Sequence, residues 1–473
     1  MIFLEPAFLV FALVTIVVAH HSPRGLASVW LGLGINLSFM LLFLGPAQSA
    51  ILLGFAGLGY AALRSVGEAR SHRTSVAVLT LLAAFVVLKQ YSFLPESLRA
   101  STLPVAVGLS YVLFRLLHLV IDRAQGAIAT PDVAGFLRYT LNGHALLSGP
   151  FQRYEDHQLS LQQGLRPAPL APLARIADGF VKVVVIAPLL QLAQGVLAPD
   201  AALGLINSAR AIVAALVWLV FMFFNFSGYM DIVIGWARLC RFDLPENFNR
   251  PLLADSFLEF WGRWHMTMTQ WFKTYVFSPL MMALGRRLQT TRQATLLASA
   301  IAFFLTFLLV GAWHGPTPAF LVCGVLLGLG AMVNQSAREL LRQRQTRRRT
   351  STAPAGMGSK ASGTVLRLLG ASFNFTYIAL AVSPFWLTPS QFRELLTGLL
   401  GSASGSLAWL VICMALACAL PALRAVMNAW ACLSERWASR LQAPLMIALR
   451  VVLVVLALIS AGTAAPDFVY KGL

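Results

Sequence analysis

The chain is divided almost end to end into apolar runs of membrane-spanning length. Candidate spans fall near residues 4–20, 26–45, 48–63, 74–94, 103–121, 179–198, 203–224, 294–311, 316–335, 364–386, 405–422 and 444–464. A hydrocarbon core about 30 Å thick asks for about 20 apolar residues per helix. It also requires every backbone polar group to be satisfied within the protein, which a helix does by itself. The expected fold class is therefore all-α and polytopic, with about eleven or twelve transmembrane helices plus shorter re-entrant or interfacial ones. Only 11% of the residues are charged and 58% are hydrophobic, far from the surface a soluble fold of 473 residues must present. The N-terminal stretch MIFLEPAFLVFALVTIVVAHHSPRG lacks the basic leader of a signal peptide and reads as a retained first span. No internal repeat is visible, which argues against the inverted-repeat transporters.

A formal charge of +18 would suit a nucleic-acid binder, but in a membrane chain Lys and Arg collect on cytoplasmic loops and meet anionic lipid. The partner implied by the charge is membrane lipid and not nucleic acid. Basic clusters follow the odd-numbered spans: Arg64, Arg70 and Arg73 after the third, Arg238, Arg241 and Arg250 after the seventh, Arg338 to Arg349 after the ninth. Loops after even-numbered spans are poor in them, as in APDAALG. This alternation predicts an extracytoplasmic N-terminus and basic loops in the cytoplasm. The cysteines, Cys240, Cys323, Cys413, Cys418 and Cys432, form no C-x-x-C pair, so buried free thiols are expected and neither zinc nor a disulfide framework is indicated.

Four segments follow: N-terminal helices over 1–130, a core over 131–335 with a re-entrant segment at 226–292, a basic cytoplasmic loop over 336–363, and C-terminal helices over 364–473. Within the core, 131–178 mixes aromatics with charges over too short an apolar length to span, so an interfacial or re-entrant helix pair is expected. The stretch RQRQTRRRTSTAPAGMGSKASG, 343–363, reads as a mobile loop.

The polar residues concentrate in two places. From 224 to 280 the chain carries Asp231 in an apolar setting beside Ser227, Gly228 and Tyr229. It then carries Pro245, Glu246, Asn247 and Asn249, and the aromatic run Phe257, Phe260, Trp261, Trp264, Trp271 and Phe272. A carboxylate at Asp231 must face a wet cavity or pair with an arginine such as Arg238. Ring spacings of three and four put many of the aromatics on one helix face, the mark of an interfacial helix, but they leave Arg263 and His265 unexplained. The second place is LTFLLVGAWHGPTPAFLVCGVLLGLG, where His314 lies between two spans. Gly311, Gly315, Pro316 and Pro318 predict a broken helix there, and broken backbone at membrane depth is tolerated where it lines a cavity. A neutral imidazole in a cavity can take a proton from a hydroxyl nucleophile, a contribution of about 10²–10⁴-fold in rate. The competing reading of His314 alone is a histidine hydrogen-bonded inside a helix bundle.

Taken together, FSGYMDIVIGWARLCRFDLPENFN, EFWGRWHMTMTQWFKTY and LLVGAWHG resemble the membrane-bound O-acyltransferase family, in its bacterial polysaccharide-modifying branch. LPVAVGLSYVLFRLLHLVIDRAQG and FLRYTLNGHALLSGPFQRYEDH look like that family's upstream blocks, so the resemblance covers roughly residues 100–335. Gly262, Lys273, Thr274 and SPLMMALGRR depart from the family pattern on the side where the donor would bind. The resemblance implies a bundle around a central tunnel, with His314 catalytic and His265 lining the same tunnel. Tyr229, Asp231, Asn247, Arg263 and Trp313 are the candidate substrate contacts, with no metal and no bound cofactor. It implies further that an acyl group, acetyl from acetyl-CoA, crosses the bacterial inner membrane to an exopolysaccharide of the cellulose or alginate type. His314 would be the general base, and His265 would orient the acceptor or stabilise the oxyanion. The partners implied are a periplasmic SGNH-type acetyltransferase and a polysaccharide synthase complex. D-alanyl transfer to teichoic acid is the alternative within the family. Outside it, the alternatives are a polyprenyl-sugar flippase and a structural anchor.

Overall fold

The computed structural model describes residues 2–21, 26–67, 71–99, 106–163, 170–197, 205–287, 291–349, 358–438 and 443–461. The described residues are helical with no strand. Seven helices are long and apolar enough to cross a bilayer: Gly45–Ser65, Leu170–Leu197, Asn207–Leu239, Gln293–His314, Pro318–Arg342, Gly363–Phe385 and Ala403–Ala429. Four shorter apolar helices accompany them: Pro6–His21, Val29–Phe43, His72–Leu88 and Ile447–Leu456. The chain is a multi-pass membrane protein of all-α class, as the hydropathy pattern requires.

Two stretches differ from the sequence expectation. The apolar run at 103–121 is a helix over Leu109–Ala124, buried on nearly every side, with Arg115, His118 and Asp122 among its buried residues. It is apolar because protein surrounds it. The basic stretch expected as a loop is helical at both edges: one helix runs Pro318–Arg349 and the next starts at Gly358, while 350–357 lie outside the described residues. Arginines favour helix, and a helix end carrying several of them complements the partial negative charge of its own last turn. Of the thiols, Cys323 and Cys413 are buried, Cys240 is half-buried and Cys418 exposed; the side chain of Cys432 lies outside the described ones.

The chain groups into two compact units, residues 1–181 with 226–246 and 446–473, and residues 182–225 with 247–445. The first is organised around buried polar side chains. Arg115 donates to the carbonyl of Thr140 at 2.8 Å, an orphan acceptor at the end of the helix Val133–Thr140, and to that of Ala145 at 2.7 Å, at the end of the turn Gly143–Ala145. The Tyr139 hydroxyl donates to the Gln152 carbonyl at 2.8 Å and lies 3.0 Å from Nδ1 of His118. Nε2 of His118 in turn accepts the Tyr154 amide at 3.2 Å. His144 and His157 pack against Phe242 with ring centroids 5.9 Å and 5.1 Å away.

Burial pushes the His144 imidazole down to about 4 and holds His157 well below its ordinary value, with the charges of Arg138 and Arg115 adding to the second shift. The sign follows directly. The unfolded chain protonates these rings near pH 6.5 and the folded one does not, so acid stabilises the unfolded state. Thermal melting in detergent should therefore show stability falling as pH drops from about 6.5 toward 4. The fall should be shallower in a His157→Leu variant.

Candidate active site

The second unit holds both sequence-nominated histidines. The aromatic run is not one helix but two, Phe257–Arg263 and Met266–Phe272, separated by an extended Trp264 and by His265 in the left-handed region at φ 45°. The first helix starts on Ser256, whose hydroxyl accepts the Glu259 amide at 3.3 Å; Glu259 returns a carboxylate oxygen to the Asp255 amide at 2.9 Å. Arg424 forms an ion pair with Asp255 and fixes that entry. Rings still pack along the segment: Phe260 stacks on Trp264 at 5.4 Å, and Phe248 meets Trp264 edge-on at 5.1 Å.

The break is held from outside the two helices. Residues 247–249 run alongside it, with the Asn249 amide donating to the Arg263 carbonyl and the Met266 amide to the Asn247 carbonyl, each at 2.9 Å. Asn247 is 1% exposed. Its side-chain oxygen accepts from the Thr267 amide at 3.2 Å and the Thr267 hydroxyl at 2.8 Å, and it lies 3.2 Å from Nδ1 of His265. Asn247 thus caps the second helix in place of a local N-cap residue.

This network assigns the histidine tautomer. A backbone N–H only donates, so the Asn247 atom facing Thr267 is the carbonyl oxygen and not the amide nitrogen. That oxygen only accepts, so Nδ1 of His265 carries a proton and Nε2 of the neutral ring keeps its lone pair. His265 is fully buried and lies outside the apolar spans. Burial holds its imidazole well below the usual histidine range, and the charge of a protonated His314 adds to the effect. The two rings therefore sense each other electrostatically, and the His265 ring is neutral.

His314 is the last residue of the helix Arg292–His314, which Gly315 ends in extended conformation. The expected break thus falls at Gly315–Thr317, and Gly311 remains helical. Gly311 serves a different purpose. A Cβ there would lie 2.6 Å from the Cα of Gly324, on the helix that follows, so the two helices cross with backbone against backbone just before the histidine. His314 is 9% exposed and its ring meets Trp313 at 4.8 Å and Phe385 at 5.7 Å, both edge-on. Phe385 comes from the short turn Ser383–Phe385, and no sequence signal pointed to it.

The remaining candidates divide between the units. Arg263 donates to Glu259 at 2.7 Å and Trp313 is buried, both in the histidine-bearing unit. Tyr229 and Asp231 belong to the other. Tyr229 is buried, hydrogen-bonded to Ser148 and 5.3 Å from the ring of Phe3. Asp231 pairs with Arg175 at 3.0 Å and not with Arg238, the partner that sequence proximity suggested. Arg175 also grips Glu246 through two hydrogen bonds, and Arg238 reaches Glu246 at 3.2 Å and Asp243 at 3.3 Å. Burial works to raise the Glu246 carboxyl, but the Arg175 and Arg238 guanidiniums outweigh it and hold it below the ordinary carboxylate range. Arg175 was missed because it lies 56 residues from Asp231 in the chain.

Two buried imidazoles in one unit, one with a fixed tautomer, are equipped for proton transfer. A profile of the membrane-bound O-acyltransferase family matches residues 36–359, which include both histidines and Asn247. The chain belongs to that family. As a membrane-bound O-acyltransferase it is similar to the teichoic acid D-alanyltransferase of Streptococcus thermophilus, 25% identical over 60% of this chain and 70% of the relative. It is also similar to the probable alginate O-acetylase of Azotobacter vinelandii, 30% identical over 52% of this chain and 48% of the relative. A shorter stretch matches the peptidoglycan O-acetyltransferase of Helicobacter pylori, 34% identical over 24% of this chain and 20% of the relative. The matched part spans about half the length of the alginate O-acetylase.

The close crossing at Gly311 carries a direct expectation. Gly311→Val forces two backbones apart, and overpacking of this kind costs about 1–3 kcal/mol. Melting of the purified protein should drop accordingly. Acyl transfer should fall further than the lost stability explains, because His314 lies three residues beyond the displaced point.

Proposed function

We propose that this O-acyltransferase takes an acetyl group from acetyl-CoA at the cytoplasmic face of the bacterial inner membrane. It delivers that group to a hydroxyl on the outer side, for O-acetylation of an extracytoplasmic exopolysaccharide of the cellulose or alginate type. The observation that carries the reading is the pair of buried imidazoles, His314 at a helix break and His265 held in one tautomer by Asn247. The acceptor oxygen attacks the thioester carbonyl carbon while His314 takes its proton. The tetrahedral intermediate then collapses with cleavage of the C–S bond, and the proton passes from His314 to the departing thiolate, giving an ester and free coenzyme A thiol. A neutral His265 offers a lone pair and no proton at Nε2, so it suits orienting the acceptor hydroxyl, and the oxyanion must find its donor elsewhere.

Arg64, Arg70 and Arg73, which follow the third apolar run and precede the buried helix Leu109–Ala124, support an outside N-terminus, and with it goes a donor arriving from the cytoplasm. A periplasmic SGNH-type acetyltransferase is the partner this reading implies on the far side, with a polysaccharide synthase complex beyond it. Similarity to a teichoic acid D-alanyltransferase makes D-alanyl the competing acyl group, and the donor assay separates the two.

Proteoliposomes given radiolabelled acetyl-CoA on one side and an acceptor glycan on the other supply the test. The wild type should transfer label. His314→Ala should elute as a monodisperse protein, melt normally and lose transfer by about 10²-fold or more. Undiminished transfer by His314→Ala rules the mechanism out. A D-alanyl thioester used in place of acetyl-CoA identifies the other acyl group, and movement of a polyprenyl-linked sugar without any ester formed identifies a flippase.

A further inference from the structure

Asn247 has one saturated end and one idle end. Its oxygen faces three donors, the Thr267 amide, the Thr267 hydroxyl and Nδ1 of His265. Its amide nitrogen, Nδ2, is buried and finds no acceptor among the described residues. The residue cannot rotate its amide to relieve this, because a flip would set an NH₂ group against the Thr267 N–H. A buried amide donor without a partner costs about 1–3 kcal/mol, and such a group at a reactive site calls for an explanation outside packing.

The neighbouring ring supplies the explanation. The same hydrogen bond that fixes Nδ1–H on His265 removes that residue from the list of oxyanion donors. Acyl transfer nevertheless builds a negative charge on the carbonyl oxygen, and a preorganised N–H aimed at it in a dry site is worth about 10²–10³ in rate. We propose that Nδ2 of Asn247 donates a hydrogen bond to the carbonyl oxygen of the acyl group, strengthening as that oxygen becomes an oxyanion. The inference rests on the acyl-transfer reading above and assigns the donor that reading leaves open. Asn247 then performs two tasks through its two ends. Its oxygen sets the tautomer of His265, and its nitrogen touches the reacting carbonyl. Both ends are fixed by the pairing of residues 247–249 with 263–266, so neither reorganises when substrate enters.

Asn247→Asp separates the two tasks. The aspartate retains an oxygen for Thr267 and His265 but replaces the NH₂ group by a second acceptor. If Nδ2 contacts the carbonyl, kcat falls by about 10²–10³-fold while KM for acetyl-CoA moves by less than about five-fold. If Asn247 only positions His265, Asn247→Asp keeps the wild-type kcat, with a pH profile displaced by the added charge, and the proposal is overturned. A spectroscopic arm does not depend on the Asn247 variant folding. Acetyl-CoA labelled with ¹³C at the carbonyl, bound to the His314→Ala protein, should show its carbonyl stretch moved to lower frequency than in water-free solvent. The shift should vanish in the His314→Ala, Asn247→Asp double variant. An unshifted carbonyl in His314→Ala overturns the proposal even if the double variant does not fold. Failure of the underlying reading looks different: wild-type protein would then transfer no acetyl group, or His314→Ala would remain active.

Discussion

One side-chain carbonyl oxygen, that of Asn247, holds the helix break of the histidine-bearing unit in shape. The chain between residues 257 and 272 has the composition of a single amphipathic helix, yet it breaks at Trp264 and His265 because Asn247 occupies the break. A helix start buried without a cap leaves orphan N–H groups, and Asn247 answers two of them, one with its side chain and one with its backbone. Each neutral hydrogen bond contributes only about 1 kcal/mol net, but leaving the groups unmade at this depth would cost more than that apiece. The left-handed backbone of His265 is tolerated on the same terms, because the surrounding network over-determines it.

The other unit uses buried polarity for a different end. Arg115, with its guanidinium on two backbone carbonyls, and Arg175, gripping both Asp231 and Glu246, are saturated by protein groups. Charges taken out of water need compensation of this completeness, or they would neutralise or drag water in. Such residues hold helices and loops at set positions, and their chemistry is spent in doing so. Asn247 contrasts with them, because its buried amide nitrogen finds no acceptor among the described residues.

The sequence made the spans legible because lipid imposes one rule on length and polarity, and that rule is written locally. It misread Leu109–Ala124 as a span for the same reason, since a helix wrapped in protein and one wrapped in lipid look alike to hydropathy. The two histidines were legible through glycine, proline and motif context. Their surroundings were not. Phe385 reaches His314 from 71 residues downstream, and Arg175 reaches Asp231 from the preceding helix, so no local pattern records either. Arg238 was the natural guess for Asp231 because it lies two helical turns away, but it turns to Asp243 and Glu246 instead. Asn247 was singled out, while its reason for being there, a cap supplied across a gap of 20 residues, required coordinates.

The electrostatic link between the two imidazoles constrains how a proton can move. A fully buried imidazole does not hold a charge cheaply, and a positive charge on His314 would oppose protonation of His265 further, so the His265 ring rests neutral. In the proposed reaction, where His314 takes a proton from an attacking hydroxyl, a neutral His265 sets no opposing charge against it. A doubly protonated neighbour would oppose the transfer. The tautomer set by Asn247 therefore does more than aim a ring: it leaves the other ring nitrogen of His265 an acceptor. In the proposed transition state positive charge on an imidazole and negative charge on the carbonyl oxygen would grow together, and low dielectric magnifies the attraction between such charges. Burial, which looks like an obstacle to a reaction that separates charge, is then what lets a few fixed dipoles govern it.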